Sequence, residues 1–434
     1  MPPAAPPAAP PAAPPAAPPD APPVADSDDY NDGFDVAAPP VLHGVPFAGR
    51  ARFSILSHLR AAHSSGGGLF GFMTMRESNK VRVQCREARA EVAAFEWMDA
   101  WWSRVTGDVA AWRAAFPAAR AVNVSERADL RDADFVHIRG GPGARLHTVR
   151  MRKCRGVTDA AFAHLRGVHT LDMSRCDQVT ITDAAFVHLR GVDTLHMSCC
   201  EQMTITDAAF EHLRGIHTLN MACCFQLSDA AFAHLRGIHT LDMTGCYQVT
   251  ITDAAFAHLA GIHTLNMSWC KQETITDAAF AHLAGIHSLN MSRCSQRTIT
   301  YAAFAHLRGI HSLNMSMCGQ ATITDAAFAH LRGIQTLDMS GCNQATITDL
   351  AFAHLRGIQT LDMIECNQET ITDAAFTHLR GIQVLDMSHC KQKTITPAAI
   401  AHLHGIFILN VFGCAHRVQA AARKLHPEAV EQSQ

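Results

Sequence analysis

Residues 205–224 read ITDAAFEHLRGIHTLNMACC. Two periodicities lie side by side in this stretch. From Thr218 onward, Thr-Leu-Asn-Met-Ala alternates with period two, the mark of a half-buried strand with Leu219 and Met221 turned inward. Ahead of it, Phe210 and Leu213 stand three apart and share one face of a short helix. Thr206 suits an N-cap, because its hydroxyl can accept a bond from a free helical N–H. Asp207 then falls at the first helical position, where the dipole favours a negative charge. Gly215 ends the helix with a residue that tolerates positive φ. Another copy of the stretch carries Thr396-Pro397, and proline is favoured at the first helical position but is not an N-cap type. A helix of about two turns is unstable alone, and a lone strand leaves one apolar face in water.

The unit recurs, and stacking is what buries both faces. Its cysteine falls at Cys154, Cys176, Cys200, Cys224, Cys246, Cys270, Cys294, Cys318, Cys342, Cys366, Cys390 and Cys414. Nine of the eleven intervals are 24 residues; the other two are 22 and lack the dipeptide around "TI". A fixed period in this range means a solenoid. The expected fold class is an α/β solenoid of about 13 parallel strands with short helices. The first strand lies in residues 121–125, the second around Arg150 and the last at 409–411, and the sheet runs roughly 60 Å. Residues 132–138 read as a degenerate helix followed by an insertion at 140–145. Val418, Ala421, Ala422 and Leu425 make 416–425 a C-terminal cap helix, and the last nine residues are expected to fray.

The pattern of Leu213, Ile216, Leu219, Met221 and Cys224, with ITD before each helix, resembles the cysteine-containing leucine-rich repeat common in F-box proteins. The resemblance covers residues 120–416. It implies a horseshoe with the sheet on the concave side and the helices outside. Methionine stands where that family mostly has leucine, a change its adaptable side chain tolerates.

The rest of the chain divides around this array. Residues 1–42 are a Pro/Ala-rich, acidic tail that cannot bury a core and reads as a disordered spacer. Residues 43–119 read as an all-helical module that holds Trp97, Trp101, Trp102 and Trp112; its later helices are expected from Trp97 to Val105 and from Val109 to Phe116. Residues 417–434 complete the C-terminal end. The net charge is −3, and six aspartates precede the first basic residue, Arg50, so the remainder is near +3. That balance argues against a dedicated nucleic-acid surface. No apolar run is long enough to span a membrane, and the N-terminus has neither the basic nor the apolar region of a secretory signal. A cytoplasmic or nuclear setting is expected.

Part of the helical module is similar to an F-box. Val45-Pro46 stands where that family has its Leu-Pro entry, FSILSHL at 53–59 resembles the next helix, and SNKVRVQCREA at 78–88 resembles the later segment. The insertion of Gly66, Gly67 and Gly68 and the lack of a tryptophan at the usual later distance depart from the pattern. The resemblance implies binding to a ubiquitin-ligase adaptor through Val45, Pro46, Phe53, Ile55, Leu56, Leu59, Leu69, Phe70 and Phe72. The alternative is a helical cap that only shields the first strand.

Residues that carry chemistry repeat with the unit, and a site present in every copy is the geometry of the unit. The twelve periodic cysteines read as buried thiols stacked at the strand exit. Cys199 and Cys223 add one extra thiol each on adjacent strands, where they can meet to oxidise or to hold a soft metal. One histidine series (His164, His188, His212 and on to His402) lies about 200° from the phenylalanine anchor, toward solvent. A second (His169, His217, His239, His263, His287, His311) precedes the strand and gives way to Gln335, Gln359 and Gln383. The glutamines two residues after each cysteine are expected to bond to one another as an amide ladder. Asn220, Asp242, Asn266, Asn290, Asn314, Asp338, Asp362 and Asp386 line the concave face and make its far end acidic. No catalytic residue, cofactor or metal is expected, and the chain reads as no enzyme.

Function is sought instead where the copies differ. The residue before the cysteine and the residue after it vary widely, whereas packing positions hardly change. Phe225, Tyr247, Trp269, Arg293 and Met317 fall on consecutive strands, and these are types enriched in interface cores. A protein partner is therefore expected near Trp269. Taken with the F-box resemblance, this implies the substrate-recognition subunit of a cullin-type (SCF-type) ubiquitin ligase; the alternative is a leucine-rich-repeat scaffold without that role.

Overall fold

The computed structural model describes residues 93–98, 104–139 and 146–430, all within the unit that spans Ala62–Gln434. These residues form one 13-stranded parallel sheet in strict chain order, from β1 (Ala121–Asn123) to β13 (Ile408–Asn410). Each strand is three residues long and in register with its neighbours, so that Leu219 pairs with Leu241 and Leu241 with Leu265. The inward leucines, the methionines two residues on, the helix alanine and phenylalanine, and the isoleucine before each helix are all buried. They stack as continuous columns, and one copy's core is completed only by the next.

The helical segment is one α turn in most copies, continued in several by a 3-10 turn, and is a 3-10 helix throughout at Asp207–Leu213 and Tyr301–His306. Thr206 is the N-cap, accepting from Ala208 N, and Gly215 has φ +83°. The proline copy agrees: Thr396 caps, and Pro397 is the first helical residue. What the sequence did not suggest is the tie between copies. Asp277 Oδ1 accepts the N–H of Thr300 in the next copy at 2.7 Å, and Oδ2 accepts its hydroxyl at 2.6 Å. The same hydroxyl then accepts Ala302 N at 3.1 Å. The threonine is thus held in its capping rotamer by the preceding aspartate, and this staple recurs from copy to copy. The two short copies keep it, with Val157 and Leu227 filling the isoleucine slot and Ser228 in place of threonine.

The periodic thiols are buried, and each donates to a main-chain carbonyl: Cys294 Sγ reaches Met267 O at 3.0 Å. Burial pushes the Cys294 thiol up to about 12. The glutamines do not bond to one another. Gln202 Nε2 donates to Cys176 O at 3.1 Å, and Gln344 to Cys318 O, because a loop carbonyl of the previous copy lies closer than the next amide.

Both ends of the sheet are covered. At the first strand, Val105 N donates to Asn123 O at 2.7 Å and Trp97 O accepts from Arg120 and Ala121. The helix expected from Trp97 to Val105 does not hold at its described residues: 96–98 are not helical, and Arg104 bridges to Asn123. The open edge of β1 needs backbone partners that a helix cannot offer. The helix Val109–Ala115 is capped by Asp108, and Arg113 reaches the carbonyls of Ala119, His137 and Ile138; burial lowers its guanidinium to about 10. The C-terminal helix His416–Leu425 falls where its pattern places it. The fraying expected from residue 426 does not hold for residues 426–430, since Leu409 N donates to Ala429 O at 2.7 Å and closes the edge of β13.

Candidate protein-recognition surface

The outward row of each strand is built on turns. Asn290 Oδ1 accepts the N–H of Ser292 at 3.0 Å, and its equivalents do the same, so this row shapes the strand exit as well as lining the face. The chain then closes a turn, with Cys270 N donating to Met267 O at 3.2 Å. The third residue of this turn, the one before the cysteine, is left-handed in every copy: φ is +61° at Trp269, +58° at Arg293 and +55° at Met317. Gly245, Gly341 and Gly413 take the same conformation without a side chain. A non-glycine residue there costs roughly 1–2 kcal/mol. The position that varies most is thus one where the backbone favours glycine, and most copies place a large side chain there instead.

Those side chains lean toward a neighbouring copy. Arg293 lies over the Trp269 ring, 4.5 Å from its centroid, and Lys271 sits at the same distance. Met317 covers Gly341 and His389 covers Gly413, where a Cβ would collide with them. In the row after the cysteine, Phe225 and Tyr247 meet with ring centroids 4.8 Å apart. Of the five expected partner residues the structure forms two groups, Phe225 with Tyr247 and Trp269 with Arg293. Among the described residues no ring contact joins these groups, and Met317 reaches forward to Gly341 and away from Trp269. Tyr247, Trp269, Arg293 and Met317 are exposed, and Phe225 is half-buried. Lys271 was not among the expected partner residues; its place two residues after Trp269 was the available signal.

Charge is graded along this face. Arg150 and Arg152 flank Asp172 near the first strands. Toward the other end, burial raises the Asp362 carboxyl, with Asp338 and Asp386 adding to the shift against hydrogen bonds from Ser340 and Ile364.

The strand-entry histidines form a stack. His217, His239, His263, His287 and His311 lie face to face with centroids 4.5–4.6 Å apart. Burial and then the neighbours His263 and His311 lower His287. The helix-side series does not simply face solvent. Arg166 Nε donates to His188 Nδ1 at 3.0 Å, and similar pairs follow. These histidines are half-buried beneath the arginine of the preceding copy. Where that arginine is replaced, by Ala260 and Ala284, the histidines that follow, His282 and His306, are exposed.

The adaptor-binding expectation on Val45, Pro46, Phe53, Ile55, Leu56, Leu59, Leu69, Phe70 and Phe72 lies outside the described residues. Among the described residues no helix is long and apolar enough to cross a membrane.

No family model matches the chain, and no curated protein matches it in sequence. Among solved structures, the Toll–Spatzle complex of Drosophila is similar with a TM-score of 0.55 at 13% identity, over 70% of this chain and 42% of that one. Its glycosylated form gives 0.50 at 14% identity, over 71% and 50%. The Rad7–Elc1 complex of yeast gives 0.45 at 14% identity, over 67% and 81%. This chain spans half or less of the Toll chains it matches. At such identities the likeness concerns the fold, which is that of a leucine-rich-repeat solenoid.

Proposed function

We propose that this chain is a protein-recognition subunit that catalyses nothing itself and presents a protein target to a cullin-type ubiquitin ligase. The observation that carries recognition is the left-handed row before the cysteines. Trp269, Arg293 and Met317 occupy positions where glycine serves three other copies, so these side chains are held at a backbone cost that packing does not require. The solenoid supplies an extended face on which such groups are set one strand apart, about 4.8 Å. The ligase half of the reading is supported by the F-box resemblance of residues 45–88 ahead of cysteine-type repeats.

The full-length chain and a chain lacking residues 43–95 are each tagged and recovered from cells. The full chain is expected to bring down the adaptor and the cullin, and the shortened chain is expected to lose both while keeping the solenoid's own partner. Equal recovery of adaptor and cullin by both chains would sink the ligase reading and leave a scaffold.

A further inference from the structure

Two thiols stand apart from the buried column. Cys199 and Cys223 follow β4 (Thr194–His196) and β5 (Thr218–Asn220), which pair in parallel register, so each occupies the same turn position of adjacent copies. Both are half-buried and left-handed, with φ +54° and +56°. Cys199 N is held by Ala222 O at 2.8 Å and Cys223 N by Thr244 O at 2.9 Å. Strand spacing of about 4.8 Å falls within the Cα separation that a disulfide spans. Each thiol feels the other more strongly than any other group. Gly245 leaves space over the Cys223 sulfur, where an added Cβ would lie 3.2 Å from it.

We propose that Cys199 and Cys223 form a peroxide-reactive dithiol that closes to a disulfide between neighbouring copies. Cys199 is the nucleophile. Interaction with Cys223, then with Arg175 and Arg152, holds its thiol below the ordinary range against burial and Glu201. The remaining thiols of the described residues are pushed up by burial and stay protonated. The Cys199 thiolate attacks one oxygen of the peroxide, which breaks the O–O bond. This gives a sulfenic acid on Cys199 and, from hydrogen peroxide, releases water after protonation. Cys223 then attacks the Cys199 sulfur, the S–S bond forms, and the hydroxyl leaves as a second water with the Cys223 proton. Two thiols and one peroxide thus yield one disulfide and two waters.

The test is peroxide titration of the reduced full-length protein at neutral pH, alkylation under denaturing conditions, and tryptic mapping. Residues 191–214 hold Cys199 and residues 215–236 hold Cys223, each on one peptide. The expected first product is these two peptides joined and lighter by two hydrogens. Cys223→Ser is expected to stop at a sulfenic acid on Cys199 that a dimedone probe traps. Cys199→Ser is expected to slow peroxide consumption about tenfold, because the ordinary thiol is mostly protonated at this pH. Joined peptides formed at the wild-type rate in Cys199→Ser would overturn the assignment. So would sulfinic acids on both cysteines with no joined peptide in the wild-type protein.

Discussion

Replacing Asp277 with alanine removes one rung of the ladder that ties the copies together. Two hydrogen bonds to a carboxylate are lost, to the N–H of Thr300 at 2.7 Å and to its hydroxyl at 2.6 Å. Bonds to charged groups are worth about 1.5–3 kcal/mol each when buried. Thr300 is only partly buried, so water takes up part of the loss and about 2–3 kcal/mol is expected for the pair. The natural chain holds the reverse experiment. Tyr301 stands where the aspartate belongs and is 49% exposed, and Thr324 of the next copy still caps Ala326 but has no carboxylate behind it. Tyr301→Asp is expected to add about 1–2 kcal/mol by supplying the missing acceptor. Urea unfolding followed by circular dichroism and by tryptophan fluorescence gives both values, provided the two probes coincide. Hydrogen exchange at Ala302 and Ala326 localises them. Asp277→Asn should fall between, since one amide oxygen remains to accept. A loss below about 0.5 kcal/mol in Asp277→Ala, together with no gain in Tyr301→Asp, would refute the staple as a stabilising element.

Three further outcomes are expected. Cys294→Ala should cost about 1 kcal/mol or more through lost volume and the lost bond to Met267 O, while chelator leaves the melting temperature unchanged. His147, His188, His287, His330 and His378 all lie below the ordinary 6.5, so the fold favours their neutral forms. The unfolded chain takes up protons first, so stability is full above pH 6.5 and falls as pH drops through and below it; changing His287 to glutamine should lessen that fall in the melting profile. Asp362→Asn should raise stability at pH 7, because the folded state holds that carboxyl above its usual range. The gain should vanish at acid pH, where Asp362 is protonated; an unchanged or lower melting temperature at pH 7 would count against a cost of burying this carboxylate.

Most of the fold was legible because each copy repeats the same local choices. The period-two run at Thr218, the Thr206 cap, the Gly215 stop and the C-terminal helix are set by neighbours in sequence. What was not legible depends on contacts between copies. Asp277 reads as a residue that favours a helix start, and only stacking shows that it also holds Thr300. The glutamines offered an amide ladder, but the carbonyl of the previous cysteine lay nearer. Trp97 and Ala429 read as helix and fray; the need to close the two sheet edges decided otherwise. The variable row near Trp269 was visible as variation, whereas its left-handed backbone was hidden, since nothing in Trp, Arg or Met announces positive φ.

The row before the cysteines is expected to be where the partner binds. The partner recovered with the full-length chain is titrated against wild-type protein and against Trp269→Ala with Arg293→Ala. A loss of about 2 kcal/mol or more in binding, roughly thirtyfold, is expected, with a melting temperature close to wild type. Undiminished affinity in a variant that folds normally would contradict it.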